Sequence, residues 1–180
     1  MLALDHIIIA ASSPEQAAHN FSERHRIKVA QGGQHANWGT YNYLAYFEND
    51  CYIEWIGITD WTVAKESDNP LIQLLVRKLS NGVEGPVQYA LRTERMDDCI
   101  ENLKTLDTPY TGPFPGSRKR PDGRLLEWRM LFPASAEDVL PFLIEWGEVK
   151  NKPSDSSLIN NREIHSLTAN ISDSATFASF

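Results

Sequence analysis

The tripeptide Ile-Glu-Trp occurs twice in this chain, at residues 53–55 and 144–146, each time inside a short apolar segment. Both segments have the composition of a buried strand. Burying a carboxylate in such a strand costs free energy unless another group pairs with it. Because the same costly arrangement occurs twice, it predicts an internal duplication with a polar site between the two copies.

Each copy closes a block of chain that has the same predicted order of elements: a strand, a helix, and further strands. The helix of the first block is opened by Ser13 as the capping residue and Pro14 in the first turn. Residues 31–40 and 111–123 are rich in glycine or proline and are predicted to be loops. The predicted strands and helices are at 4–10, 14–25, 27–30, 41–47 and 51–58, and again at 87–92, 96–106, 125–132 and 140–147.

This order predicts an α+β fold with two βαβββ modules in tandem. We expect the modules at residues 1–60 and 85–148, joined by a helical connector at 61–84 whose main helix begins at Asn69 and Pro70. Residues 149–180 are predicted to be a linker followed by the start of a further module, because 163–170 resembles the first strand with its histidine. The chain would then end inside a partial strand–helix unit.

Composition limits the classes of function. The chain has 180 residues and a formal net charge of -7, which argues against a nucleic-acid-binding surface. No apolar run approaches the length of a membrane span, and no signal peptide is recognisable at the N-terminus. The two cysteines, Cys51 and Cys99, make no disulfide framework, so we expect a reduced cytoplasmic protein.

The duplicated pattern resembles the glyoxalase/bleomycin-resistance/dioxygenase group, the vicinal-oxygen-chelate superfamily, over residues 2–147. The segments 4–6, 32–40 and 115–123 resemble more narrowly its glyoxalase-like domain subfamily. The resemblance implies that the strands of each module curl into a half-cup and that two half-cups enclose one site. It also implies a small-molecule ligand, and the two half-cups meet either within one chain or across a homodimer.

The resemblance further implies a metal site, with ligands from the first and last strand of each module. By position these are His6 and Glu54 in the first module and Gln88 and Glu145 in the second. Such a set suits Zn, Ni, Co, Mn or Fe. The metal would polarise a carbonyl and hold an enediolate while Glu54 or Glu145 takes the proton, in isomerase, lyase or dioxygenase-like chemistry.

Four further residues are candidates for substrate binding. His35, Trp38 and Asn42 lie in or beside a glycine-rich stretch of the kind that lines pockets. Arg118 opens a basic run near the expected cup, and a guanidinium recognises carboxylate or phosphate in a fixed geometry. Together these residues predict a small, oxygenated and anionic ligand.

Other interpretations of the same residues remain open. Both glutamates could instead pair with arginines of the second module, Gln88 could be an ordinary amide lining the cup, and His6 could be a hydrogen-bonded structural residue. The protein could then be a non-catalytic binder of the bleomycin-resistance type. Its ligand would stack on the tryptophans at 38, 55, 128 and 146. A third alternative is a defective or truncated family member that serves as a partner-binding scaffold, which the incomplete C-terminal unit suggests.

Overall fold

A mixed β-sheet with helices on both sides accounts for the regular structure of the chain. The computed structural model describes residues 2–120, 123–135 and 140–168. Within these residues, the elements in chain order are β1 (Ala3–Ala10), α1 (Pro14–His25), β2 (Ala30–His35), β3 (Thr40–Phe47), β4 (Tyr52–Ile58), α2 (Trp61–Glu66), α3 (Pro70–Ser80), β5 (Gly85–Arg92), α4 (Met96–Thr105), β6 (Tyr110–Lys119), β7 (Leu125–Pro133), β8 (Phe142–Trp146) and β9 (Ile159–Asn160).

The strand order confirms two βαβββ modules. It is β2-β3-β4-β1-β5-β8-β7-β6, so each module contributes four neighbouring strands. In each module the first and last strands pair in parallel, β1 with β4 and β5 with β8. The modules join through the antiparallel pair of β1 and β5, which makes one continuous sheet. The predicted α+β class and module architecture are therefore confirmed.

The sheet curls until its two edge strands, β2 and β6, approach each other. Arg118 of β6 donates from Nη1 to the carbonyl oxygen of Gly32 on β2, at 3.0 Å. The concave side of this cup is apolar, with Ile8 and Phe142 among its fully buried residues. The curl therefore encloses an interior to which both modules contribute.

Helix α3 of the connector fills part of the cup. Asn69 caps it by accepting from the backbone N–H of Leu71, as expected from the sequence. Its buried residues are Leu71, Ile72, Leu75 and Leu79, which recur at helical spacing and belong to the same apolar cluster as Ile8 and Phe142. The space that α3 leaves open is the cavity described below.

Helices α1 and α4 cover the convex side of the sheet. In α1, Ala18 and Phe21 pack against β3 and β4, in a cluster that includes Trp55. In α4, Met96 and Leu103 pack in a cluster that includes Leu143 of β8. Ser13 precedes α1 as predicted, but its side chain makes no capping hydrogen bond. No helix in the described part of the chain is both long and apolar enough to cross a bilayer.

Two segments predicted as loops are edge strands in the structure. The stretch 31–40 contains most of β2, and 111–123 contains most of β6. Glycine and proline obscure the strand pattern in both. An edge strand tolerates Pro113 and Pro115 because it has one row of backbone groups that does not pair within the sheet. Strand β6 shows the alternation of a strand, with Arg118 buried and Lys119 exposed.

The segment after β8 differs from the predicted start of a further module. Residues 147–158 form a strap that leads to β9, which pairs in parallel with β3. Asn160 anchors β9 to the first module. Its side chain accepts from the backbone N–H of Lys28 and donates to the carbonyl oxygen of Tyr46. Residues 161–168 form no strand, and the predicted helix falls at 169–180, outside the described residues.

Candidate functional site

A small cavity lies inside the cup between α3 and the inner face of the sheet. Its volume is about 40 Å³, which is room for about three water molecules. The residues that line it include six of the predicted site residues: His6, His35, Trp38, Asn42, Glu54 and Arg118. The structure therefore brings together side chains from β1, from the β2–β3 region, from β4 and from β6.

A chain of polar side chains crosses one wall of the cavity. His6 Nε2 lies 3.4 Å from Glu54 Oε2, and both side chains are almost fully buried. Asn42 Nδ2 donates to Glu54 Oε1 at 2.6 Å, and the backbone N–H of Gly33 donates to Asn42 Oδ1 at 2.9 Å. Glu54 is thus held in one orientation, with one oxygen bonded to Asn42 and the other beside His6.

Asp5 holds the far side of the His6 imidazole. Its Oδ1 lies 2.6 Å from His6 Nδ1, and its Oδ2 accepts from the indole N–H of Trp146 at 3.0 Å. The ring of His6 also stacks on Tyr52, with centroids 4.4 Å apart. These contacts fix the ring so that Nε2 is directed toward Glu54.

A β-bulge explains how consecutive residues come to act at one site. In the pairing of β1 with β5, Leu4 is opposite Leu91 and His6 is opposite Ala90, so Asp5 is an extra residue in β1. Neighbouring side chains of a regular strand point to opposite faces. A bulge changes the direction of a side chain locally, which is consistent with the bond between Asp5 and His6.

His35 lies at the end of β2 and is buried against the aromatic wall. Its Nδ1 is 3.0 Å from Thr40 Oγ1, and its ring contacts the rings of Trp38 and Trp128. Burial lowers the pKa of His35 from 6.5 to about 4; the Glu54 charge opposes this shift and the Arg118 charge adds to it. His35 is therefore a neutral imidazole at neutral pH, and it lies close enough to Glu54 and Arg118 to interact with both charges.

Arg118 brings a positive charge to the cavity. Its side chain is buried, with 7% of the residue's surface exposed. Its hydrogen-bond partners are neutral oxygens: the carbonyl of Gly32 at 3.0 Å and Asn151 Oδ1 at 3.2 Å. None of the carboxylates in residues 2–120, 123–135 and 140–168 forms an ion pair with it.

Glu145, predicted as a metal ligand and base, is directed away from the cavity. It accepts from Arg129 Nε at 2.9 Å and from the backbone N–H of Met96 at 3.0 Å, at the first turn of α4. Its neighbours Ile144 and Trp146 line the cavity instead. Side chains alternate along a strand, so Glu145 belongs to the helix-covered face of β8, where it forms the alternative pair with an arginine.

Strand register explains why the repeated tripeptide misleads. Glu54 pairs with Ile8 across β4 and β1. In the antiparallel pair of β1 and β5, His6 is opposite Ala90 and Ile8 is opposite Gln88. Equivalent positions in the two modules are therefore His6 and Gln88, and Ile8 and Ala90. Ala90 in turn pairs with Phe142. Phe142 is therefore the counterpart of Glu54. Glu145 lies an odd number of residues further along the strand, and an odd shift reverses the face.

Gln88, the fourth predicted ligand, is also engaged elsewhere. Its Nε2 donates to the carbonyl oxygen of Leu140 at 3.0 Å and its Oε1 accepts from the N–H of Tyr89 at 2.9 Å. It is not among the residues that line the cavity.

The resemblance implied a divalent metal, and the predicted set of ligands does not fit one here. His6 and Glu54 are brought together, but Glu145 lies on the other face and Phe142 occupies the corresponding inner position. In the part of the chain that the structure describes, no group of three or more His, Cys, Asp or Glu side chains is arranged to hold an ion. Cys51 and Cys99 are free thiols.

Two residues at the site, Asp5 and Asn151, were not predicted from the sequence. Asp5 reaches His6 because it lies in a bulge. In a strand as short as β1, a bulge does not visibly change the alternation of apolar and polar residues. Asn151 belongs to the strap, which appeared to be an ordinary polar linker. The adjacent pair Asp5-His6 was the one available sign.

The comparisons with known proteins agree with this architecture. A family model described as a glyoxalase-like domain matches residues 4–179. A hypothetical protein from Staphylococcus aureus is 22% identical, with a TM-score of 0.70; the match covers 83% of this chain and 61% of that one. A hypothetical protein from Bacillus halodurans C-125 is 18% identical, with a TM-score of 0.61 and coverage of 84% and 99%.

A methylmalonyl-CoA epimerase from Streptomyces coelicolor, solved in complex with 2-nitronate-propionyl-CoA, is also similar. It is 16% identical, with a TM-score of 0.60, and the match covers 83% of this chain and 98% of that one. At these identities the likeness shows the fold. No protein of curated function matches the sequence. Since the family model spans nearly the whole chain, the protein belongs to the glyoxalase-like domain family.

Proposed function

We propose that the protein binds a small oxygenated anion in the cup and transfers a proton next to its carbonyl group. One observation carries this proposal: the buried Arg118 and the buried pair of His6 and Glu54 line the same cavity. A buried cation whose hydrogen-bond acceptors in the described part of the chain are neutral favours an anion, and a fixed carboxyl–imidazole pair can accept and return a proton.

Arg118 is the proposed anion subsite. Among the described residues, the groups that accept hydrogen bonds from the buried guanidinium are neutral oxygens, and a bound carboxylate would offset more of its desolvation cost. The neutral His35 beside it adds no competing charge. Trp38 and Trp128, whose rings are 6.0 Å apart, provide an apolar wall for the carbon atoms of the ligand.

The pair of His6 and Glu54 is the proposed acid–base group. A ligand C–H bond beside the carbonyl would break, its proton would pass to Glu54, and the electron pair would move to the carbonyl oxygen as an enolate. His6 lies close enough to share that proton. Return of the proton to another face or another carbon gives an isomer. Each of these steps uses side chains alone.

The size of the cavity restricts what fits fully inside the cup. A volume of about 40 Å³ accepts a group of a few heavy atoms. A second cleft of about 480 Å³ shares Tyr52, Trp146 and Asn151 with the cavity and has room for the remainder of a longer ligand.

Exchange of deuterium into pyruvate tests the proposal. Pyruvate combines a carboxylate, a carbonyl and exchangeable C–H bonds, and loss of its methyl signal in D₂O is followed by proton NMR. We expect wild-type protein to accelerate the exchange, and Glu54→Gln to slow it by about 100-fold or more. Glu145→Gln is the matched control, which should exchange at the wild-type rate. No exchange above buffer with wild-type protein would refute proton transfer.

A non-catalytic binder of the bleomycin-resistance type is the second candidate. The wall of adjacent indole rings at Trp38, Trp128 and Trp146, each tilted against the next, favours it. Pyruvate that binds, and loses about 10-fold in affinity or more in Arg118→Met, without any exchange, would identify this function. The homodimer, the cytoplasmic location and the lack of nucleic-acid or membrane partners stay predictions from the sequence.

A further inference from the structure

Three cavities of the molecule meet at one side chain, Asn151. The inner cavity of about 40 Å³, the cleft of about 480 Å³ and a third pocket of about 80 Å³ all have Asn151 in their lining. Among the residues described, no other lines all three. Asn151 lies in the strap, outside both modules, and borders the inner cavity and the larger cleft together with Tyr52 and Trp146.

The carboxamide oxygen of Asn151 occupies a position beside the charge of Arg118. Asn151 Oδ1 accepts from Arg118 Nη2 at 3.2 Å and from the hydroxyl of Tyr46 at 3.3 Å. A carboxylate oxygen of a ligand would make the same two contacts and would add the charge that the amide lacks. The amide is thus a weaker version of the group that the subsite fits.

We propose that Asn151 is a displaceable internal ligand of Arg118, and that an anionic substrate replaces it and joins the inner cavity to the cleft. This inference rests on the proposed anion subsite and deepens it. It assigns a substrate class: a carbonyl compound whose carboxylate contacts Arg118 and whose remaining chain extends past Asn151 into the cleft.

The polar contacts of the strap beside Asn151 open at low cost. Arg120 donates to the carbonyl oxygens of Lys150 and Lys152, and Lys152 pairs with Asp50 at 2.6 Å through side chains that are about half exposed. Exposed ion pairs contribute little to stability, and segments held in this way open locally. The Asn151 side chain can therefore leave Arg118 while Val149 of the same strap stays packed against the apolar core.

The cleft indicates the chemistry of the extended part. Its lining carries charges of both signs, from Arg92, Arg95, Lys150 and Lys152 and from Asp5, Asp50, Glu94 and Glu145. Such a surface suits a polar chain with several hydrogen-bonding groups better than an alkyl chain. The class is therefore a 2-oxo or 3-oxo acid with a polar extension.

Two substitutions at the same position test the inference in opposite directions. Acetate is the probe, and the Nε–Hε signal of Arg118 in ¹⁵N NMR reports its binding. Asn151→Ala removes the competitor and should tighten acetate binding about 2- to 10-fold, the equivalent of one hydrogen bond. Asn151→Asp supplies a tethered carboxylate and should weaken acetate binding about 10-fold or more.

Lys28→Ala is the control for a loosened strap. Its ammonium group donates to the carbonyl oxygen of Ser157, outside all three cavities. We expect it to leave acetate affinity at the wild-type value. Equal affinity in wild type, Asn151→Ala and Asn151→Asp would overturn the inference, and so would a lack of acetate binding in all of them. The expected pattern without deuterium exchange would support the inference and refute the proposed proton transfer.

Discussion

Phe142 occupies the register position in the second module that Glu54 occupies in the first. Glu54 pairs with Ile8 on β1, and Phe142 pairs with Ala90 on β5. The register of β1 and β5 makes Ile8 and Ala90 equivalent positions of the two modules. The two halves of the cup are therefore alike in backbone and different in chemistry. The first module supplies His6 and Glu54, the proposed acid–base pair, and the second supplies Arg118 and much of the aromatic wall.

The two glutamates of the repeated tripeptide should respond differently to neutralisation. Glu145 bonds Arg129 and the first turn of α4, so Glu145→Gln should lower the free energy of unfolding by roughly 1 kcal/mol. Urea unfolding measures this, with deuterium exchange into pyruvate as the second readout. If Glu145→Gln abolished exchange at unchanged stability, the assignment of Glu145 to the helix-covered face would be wrong.

His35 should make the protein sensitive to acid. Its pKa is about 4 in the folded protein and ordinarily 6.5. Between these values the unfolded chain binds a proton that the folded protein does not, so stability is present in full above pH 6.5 and falls as the pH drops toward 4. The loss is about 3 kcal/mol by linkage.

His35→Gln should flatten this part of the stability profile, as measured by urea unfolding at a series of pH values. The exposed His25 provides the matched control, and His25→Gln should keep the wild-type slope. An unchanged slope in His35→Gln would show that another group causes the acid sensitivity.

Gly32 should be required for the orientation of Glu54. A Cβ atom there would lie 2.1 Å from Asn42 Oδ1 and 2.9 Å from Leu44 Cδ1. Gly32→Ala must therefore displace the amide that holds Glu54, at a cost of about 2 kcal/mol, with a loss of exchange. At Gly147 the nearest atom would be 3.4 Å away, so Gly147→Ala should be tolerated. Equal thermal stability of the two variants would contradict this expectation.

Asp5 should act as a positioning residue for His6. In Asp5→Asn the bond to Nδ1 no longer favours a proton on that nitrogen, although the shape is kept. We expect slower exchange at saturating pyruvate with nearly unchanged half-saturation. The ¹⁵N signals of the His6 ring should show a different distribution of the proton between its nitrogens. Wild-type ring signals in Asp5→Asn would exclude this role.

The backbone architecture was predictable because it follows from periodicity and turn signals. Strands β1, β4 and β8 and helix α3 carry clear apolar patterns, and the duplicated order indicated two modules. Edge strands β2 and β6 were missed because glycine and proline mask the alternation that makes Arg118 face inward. Their identification as strands needs the partner strands β3 and β7.

The site was predictable in the first module and, from the second, only at Arg118. His6, His35, Trp38, Asn42 and Glu54 meet at the cavity, as does Arg118. Glu145 and Gln88 do not, because a tripeptide repeat conveys composition and not register, and a shift of three residues reverses the face of a strand. Asp5 and Asn151 depend on a bulge and on a strap, which local patterns do not encode.

A crystal structure of the protein with pyruvate tests the central proposal most directly. We expect density for the carboxylate beside Arg118, the carbonyl carbon against Trp38 and Trp128, and the methyl group toward Glu54, with the Asn151 side chain moved off the guanidinium. Pyruvate bound only in the outer cleft, with Asn151 still on Arg118, would contradict both the anion subsite and the proton transfer that depends on it.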